Sequence, residues 1–328
     1  MELRLTQYIE ELAKRSPAVH KQFYPSPLED EPDEQAMDDP LGEALYHAAP
    51  GLVHQYADRA LLLASNKCFA YCRHCFRRLW IHNSNNSPPS NLPPSNIPPS
   101  PCGRGRGRGA YVAYLHNHPE IKEILLSGGD PLTLSDEELR SLFADIRQAS
   151  PDIAFRLCTR APVVLPSRIS NEFVAMCASF KPLRLSIHLN HPDELTSECR
   201  HALSCFVNAG IPVLVQTVLL RGINDSVDTL TCLFRQCLSL GLQPYYLFQL
   251  DLARGTKHFR VPLEEGLELY DRVKEGLSPV PPYAVDLPGG GGKIRLSKEI
   301  IAGIIATEKG RFYQLRDKDG RLWLYPAF

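Results

Sequence analysis

The chain has 328 residues, with 36 lysines and arginines against 37 aspartates and glutamates and a formal net charge of −1. A near-neutral chain has no global field to hold it on nucleic acid or an anionic membrane, and no run approaches the roughly eighteen consecutive apolar residues of a membrane span. Its ten cysteines stand mostly at unpaired spacings, as reduced thiols of a cytoplasmic protein do, rather than as a disulfide framework.

Residues 1–50 open with MELRLTQYIEELAKRS, a charged amphipathic helix rather than a secretory signal. They continue into LEDEPDEQAMDDPLGE, expected to lie as an extended arm over a larger body, with a solvated acidic loop as the plainer alternative. From Arg59 onward come six runs, RALLLAS, EILLSGG, AFRLCTR, LRLSIHL, PVLVQTVLL and PYYLFQLD. Each is mostly apolar, as strands of a buried parallel sheet are. Helical periodicity fills the intervals, and in SDEELRSLFADIRQ the pair Ser135 and Glu138 makes a capping box. Such alternation winds through right-handed crossovers into an α/β fold, a parallel barrel or doubly wound sheet, with functional residues at the C-terminal strand ends. Two regions fall outside it. Residues 83–109, rich in Pro, Ser, Asn and Gly, cannot build a packed core and are expected to be a disordered insertion. Its short Arg-Gly run in a neutral protein does not call for nucleic acid. After Lys293, RFYQLRDKDGRLWLYP reads as two strands about an Asp319-Gly320 turn, a hairpin covering the barrel.

Cys68, Cys72 and Cys75 form C-x3-C-x2-C directly after the first run. Structural zinc wants four protein ligands, and no second cysteine pair or histidine pair follows. Three thiolates suit a four-iron, four-sulfur cluster with one iron left free, whereas an electron-transfer site supplies a fourth cysteine. Buried structural cysteines would leave Arg73, His74, Arg77 and Arg78 unexplained, since these are poor core residues. Ser127, Gly128, Gly129 and Asp130 end the second run, where glycines let backbone approach a ligand and a carboxylate can accept from an ammonium group. Asp286 to Lys293, DLPGGGGK, lacks the spacing of a phosphate loop. A glycine turn presenting a lysine suits a Schiff base, with a flexible turn as the alternative.

The cysteine spacing followed one βα unit later by the glycine turn resembles the radical S-adenosylmethionine superfamily. From Pro50 to about Lys293, PGLVHQYADRALLL, CRHCFRR, LLSGGDPL, TRAPVVLPSRI, HLNHPDELT, VLLRGINDSV, QPYYLFQLD, HFRVPLEEG and VDLPGGGGK resemble the lysine 2,3-aminomutases. The resemblance implies an arm over residues 1–50, a partial (βα)6 barrel over 51–288, and a lysine loop with terminal hairpin over 289–328. It implies a 4Fe-4S cluster on Cys68, Cys72 and Cys75, and S-adenosyl-L-methionine against Ser127, Gly128, Gly129, Asp130, His188 and Gln216. Pyridoxal 5′-phosphate would be carried on Lys293, with Tyr56 and Arg59 placing the cofactor and its phosphate. The substrate would be free L-lysine, its carboxylate on Arg77 and its ε-ammonium on Asp251 and Asp286, positions not both acidic in related glutamate aminomutases.

The implied reaction is an isomerisation that moves the amino group from C2 to C3, started by a 5′-deoxyadenosyl radical. An electron donor such as flavodoxin or ferredoxin is implied, and a homo-oligomer is compatible with the sequence. The rivals are the branch whose (R)-β-lysine modifies elongation factor P, an arginine aminomutase, and a non-catalytic iron-sulfur protein. The last predicts loss of Lys293 or a cluster cysteine, and neither is lost. Gln55 replaces a common basic residue near the phosphate, which would loosen that cofactor. No cysteine follows Cys237, so the C-terminal zinc site of some clostridial members is not expected.

Overall fold

The computed structural model describes residues 1–82 and 107–328. The insertion expected at 83–109 therefore lies outside the described residues, except for its last three positions, which open a helix. The arm begins with α1 (Gln7–Arg15) and α2 (Pro17–Phe23). Thr6 caps α1 by accepting from the Ile9 N–H, and Ile9, Leu12 and Ala13 recur at the spacing that gives a helix one buried face. Residues 24–46 then cross the body without long regular structure, ending in a short 3-10 turn, Glu43–Tyr46.

The body is a single sheet. β1 (His47–Ala49) and β2 (Leu52–Tyr56) lead antiparallel into β3 (Arg59–Ser65). There follow α3 (Arg78–His82), α4 (Gly107–Asn117), β4 (Glu123–Gly128), α5 (Asp136–Ala149), β5 (Ala154–Thr159), α6 (Ala161–Val164), α7 (Asn171–Ala178), β6 (Leu183–His188), α8 (Ser197–Asn208), β7 (Val213–Val218), α9 (Val227–Ser239), β8 (Gln243–Phe248), α10 (Leu263–Gly276), β9 (Tyr283–Leu287) and β10 (Gly292–Arg295). Strands β3 to β9 pair in parallel and in chain order, and β10 turns back antiparallel on β9. The ten strands run in the order β1 to β10, with no pairing of β1 to β10 among the described residues. This is an α/β partial barrel, and the six apolar runs are β3 to β8.

The reason lies in the side chains. Along β4 and β5, Ile124, Leu126, Phe155 and Leu157 are fully buried, and Phe155 meets Phe143 of α5 edge-on at 4.9 Å. The alternate positions, among them Ser127 and Cys158, are left to the other face. The expected box on α5 is present: Glu138 N–H donates to Ser135 Oγ, and Ser135 N–H donates to the Glu138 carboxylate at 2.8 Å. Leu139, Leu142, Phe143 and Ile146 form its buried face. Among the described residues no helix is long and apolar enough to cross a membrane.

The C-terminal part is larger than the expected hairpin. β11 (Ile301–Thr307), β12 (Gly310–Arg316) and β13 (Leu322–Pro326) make a separate antiparallel sheet, so the expected pair is joined by β11. The Asp317 carboxylate closes the β12–β13 turn, accepting from the N–H groups of Asp319 and Arg321 and from Trp323 Nε1. The Trp323 ring then lies so close to Gly291 that a β-carbon there would stand 2.8 Å from it.

Candidate active site

Cys68, Cys72 and Cys75 occupy the loop after β3 as free thiols. Burial, then the neighbouring Cys75, pushes the Cys68 thiol up. Burial and Cys72 push Cys75 up to about 12. Cys68 and Cys75 are therefore thiols unless a bound cation favours their thiolates. No group of three or more His, Cys, Asp and Glu among the described residues is arranged to grip one metal ion. A four-iron cluster makes a different demand, because each thiolate takes a separate iron. Arg160 Nη1 donates to Cys72 Sγ at 2.8 Å, and its Nη2 donates to Gln22 Oε1 at 2.6 Å and to Glu194. Around it Arg160 Nε, Gln22 Nε2 and His74 Nδ1 are buried without a hydrogen-bond partner among the described residues. Buried polar atoms left over in this way fit an electron-rich group bound beside Cys72. His188 and Gln216 face each other across β6 and β7. Burial and Arg160 push His188 down to about 4, against the hydrogen bond to Gln216, so it is neutral near pH 7.

The glycine turn also braces the cysteine loop. A β-carbon on Gly128 would strike the Ser65 carbonyl oxygen and one on Gly129 the Lys67 carbonyl oxygen. Gly129 and Asp130 N–H groups donate to those same two carbonyls, each at 2.6 Å. The glycines therefore press β4 against the cysteine loop. The buried Asp130 carboxylate accepts from Thr159 Oγ1 at 2.7 and 2.9 Å, from Arg160 N–H at 2.9 Å and from Leu132 N–H at 3.0 Å. It ties the turn to the end of β5. Ser127 Oγ accepts from Arg77 Nη1 at 3.2 Å.

The second centre is the turn between β9 and β10. Lys293 Nζ donates to the Asp286 carboxylate at 2.7 and 3.0 Å and lies 4.0 Å from the Phe248 ring centroid and 5.4 Å from that of Tyr246. Tyr56 Oη accepts from the Lys293 N–H at 3.0 Å, and the Arg59 guanidinium stacks on the Tyr56 ring at 4.1 Å. Tyr46 Oη and Gln55 Nε2 donate to the Gly290 carbonyl at 2.7 and 3.1 Å, so Gln55 grips the loop. A lysine amine among aromatic rings, with a carboxylate beside it and an arginine behind the neighbouring tyrosine, fits an aldehyde cofactor carrying a phosphate.

Asp251, just past β8, completes the chamber. Burial and the charge of Asp286 raise its pKa to about 8, against the pull of Lys293, and Glu43 and Arg77 act on it too. Arg77 is gripped by Glu43 of the arm, with Nε to Oε2 at 2.9 Å and a second bond from Nη2 to Oε1. Sequence reasoning had missed Glu43, Gln22, Tyr46, Tyr246, Phe248 and Arg160. Tyr246 and Phe248 carried a usable signal, since alternate residues of one strand share a face.

No family model matches the chain. A Treponema pallidum protein provisionally named an L-lysine 2,3-aminomutase is 45% identical over 291 residues, covering 88% of this chain and 78% of that protein. The chain belongs to the lysine 2,3-aminomutase family. The L-lysine 2,3-aminomutase of Clostridium subterminale is 39% identical over 277 residues, 84% of this chain but 63% of that enzyme, so this family member spans less than two thirds of it. A glutamate 2,3-aminomutase of Clostridioides difficile is 32% identical over 295 residues, 87% of this chain and 66% of that enzyme. Substrate choice within the family therefore rests on the chamber's own residues.

Proposed function

We propose that this chain interconverts free L-α-lysine and β-lysine, an isomerase acting with a 4Fe-4S cluster, S-adenosyl-L-methionine and pyridoxal 5′-phosphate, and drawing an electron from a flavodoxin- or ferredoxin-like donor. The observation that carries the substrate assignment is the convergence of Asp251 and Asp286 beside Lys293, with Arg77 acting on the same chamber. Two carboxylates at one end select a cationic side chain and a guanidinium at the other selects a carboxylate. A glutamate substrate would bring a third carboxylate against the two aspartates.

When bound, the cluster and S-adenosyl-L-methionine supply a carbon-centred radical, and pyridoxal phosphate supplies the conjugated system through which nitrogen migrates. Cys68, Cys72 and Cys75 would hold the cluster, with Arg160 donating to Cys72. His188, Gln216 and the unpartnered donors near Arg160 would line the place of the nucleoside. Lys293 would carry the aldehyde, Tyr56 and Arg59 would lie toward its phosphate, and the Phe248 and Tyr246 rings would exclude water. Asp251 and Asp286 would share the substrate's distal ammonium group.

Anaerobic reconstitution with iron, sulfide, both organic cofactors, dithionite and L-lysine, followed by chiral chromatography, tests the reading. β-Lysine of either hand is the expected product, and its configuration separates the free aminomutase from the elongation factor P branch. Cleavage of S-adenosyl-L-methionine without β-lysine, from lysine but with turnover of arginine or glutamate, would sink the substrate assignment.

A further inference from the structure

A guanidinium carries five N–H donors, one on Nε and two on each Nη. In Arg77 the Nε and one Nη2 donor go to Glu43, and one Nη1 donor goes to Ser127 Oγ at 3.2 Å, with the Gly128 carbonyl at 3.5 Å. One Nη2 donor remains, and the second Nη1 donor is engaged only by the long 3.5 Å contact to the Gly128 carbonyl, so the two together form the end-on fork suited to a second carboxylate, which would displace that weak contact. Side-chain exposures of 11% for Arg77 and 18% for Glu43 set this pair apart from a surface bridge, and stripping Glu43 of its partner would leave a carboxylate poorly solvated.

Glu43 is itself fixed from behind. The Asp39 carboxylate accepts from the N–H groups of Glu43 and Ala44 at 3.0 and 2.9 Å. Gly42, at φ +63°, sits so near the lysine loop that a β-carbon would stand 2.7 Å from Gly290 N. Tyr46 bonds the same Gly290. One short turn of the arm therefore touches both Arg77 and the loop that carries Lys293.

We propose that Glu43 is a positioning residue for the substrate carboxylate: it holds Arg77 by its side-on edge so that the end-on fork faces the ligand. Because its turn also props the lysine loop, it sets the spacing between the carboxylate anchor and Lys293. The inference rests on the reading of Arg77 as that anchor.

The test titrates cofactor-loaded protein with L-lysine and with 1,5-diaminopentane, which keeps both amines and lacks the carboxylate, following the visible absorbance of pyridoxal phosphate. Losing a charge-assisted bond, Glu43→Ala should weaken L-lysine by about tenfold or more. Glu43→Gln, still able to accept one bond, should fall between that variant and wild type. Diaminopentane should be unchanged in both, and turnover should show the loss in KM before kcat. Equal losses for the two ligands would mean a merely structural residue. Tighter L-lysine binding in either variant would mean that Glu43 competes with the substrate, and unchanged L-lysine binding would also overturn the proposal. If wild-type protein fails to favour L-lysine over diaminopentane, the Arg77 reading falls first and takes the inference with it.

Discussion

The barrel and the arm position functional groups by different means. Strands β3 to β8 place Ser127, His188, Gln216 and Phe248 on a ladder of backbone hydrogen bonds whose register is set by alternating burial. The arm docks through side chains that answer basic residues of the body: Gln22 takes Arg160, Glu29 takes Arg73 and Arg78, Asp33 takes Arg260 at 2.5 Å, and Glu43 takes Arg77. A barrel position tolerates many residues that keep the period. An arm contact depends on one charge meeting another, so a single substitution can undo it.

The largest effect belongs to the barrel chemistry. Lys293→Ala should abolish β-lysine formation while leaving the circular-dichroism melt near that of wild type, because Lys293 is partly accessible and its loop is held by Tyr46, Gln55 and Tyr56. Retained turnover would break the contrast at its centre. Next comes the arm: Glu29→Ala leaves Arg73 and Arg78 buried without their carboxylate and should cost about 3–5 kcal/mol in denaturant unfolding. Burial opposes ionisation of Glu29, but hydrogen bonds from Arg73 and Arg78 overcome it and hold its pKa below the usual carboxylate range. Its stabilisation is therefore present at neutral pH and lost as the solution is acidified below about 4. The unfolding free energy of Glu29→Gln should fall less steeply than that of wild type on that acid limb.

A third effect is a pH dependence. With its pKa raised to about 8 by burial and Asp286, Asp251 is protonated at lower pH and ionises as pH rises through that value. Affinity for L-lysine should therefore climb with pH, by up to about tenfold per unit below 8, and titrations of Asp251→Asn should lose that slope. The smallest effect is Asp38→Asn. Its pair with Arg254 at 2.9 Å has side chains 33% and 61% exposed, so the melt should move by less than about 1 kcal/mol equivalent. A larger loss would mean that exposed arm contacts matter as much as buried ones.

The six strand runs, the α5 capping box and the clustered thiols were legible because each is a local pattern with its own period or spacing. Lys293, Tyr56 and Arg59 were likewise brought together where the resemblance implied. The acidic stretch was expected either as an arm over the body or as a solvated loop. It crosses the body, and four of its eight acids, Glu29, Asp33, Asp38 and Glu43, pair with arginines that lie far away in sequence, which no local pattern announces. The same blindness left Arg73 and Arg78 without an explanation beside the cysteines; both are buried against Glu29. The ligand role expected of Ser127, Gly128, Gly129 and Asp130 gave no hint that the two glycines also press β4 against the cysteine loop, a contact visible only once β3 and β4 are side by side.

The arm's contacts join residues very distant along the chain: Thr6 with Val164, Ser16 with Asp193, Lys21 with Gly222. Closing such loops costs chain entropy that strand-to-strand neighbours do not incur. In α1 and α2 the burial of Ile9, Leu12, Val19 and Phe23 in the core offsets it, whereas residues 24–46 are held mainly by polar side-chain contacts, and such segments open before the core does. Hydrogen exchange should then find residues 24–46 opening at a lower free energy than the sheet or than α1 and α2, with Glu29 leaving Arg73 and Arg78. Arg160 bonds both Gln22 of the arm and Cys72 of the thiol loop, so the arm's docking and the hydrogen bond at Cys72 share one guanidinium.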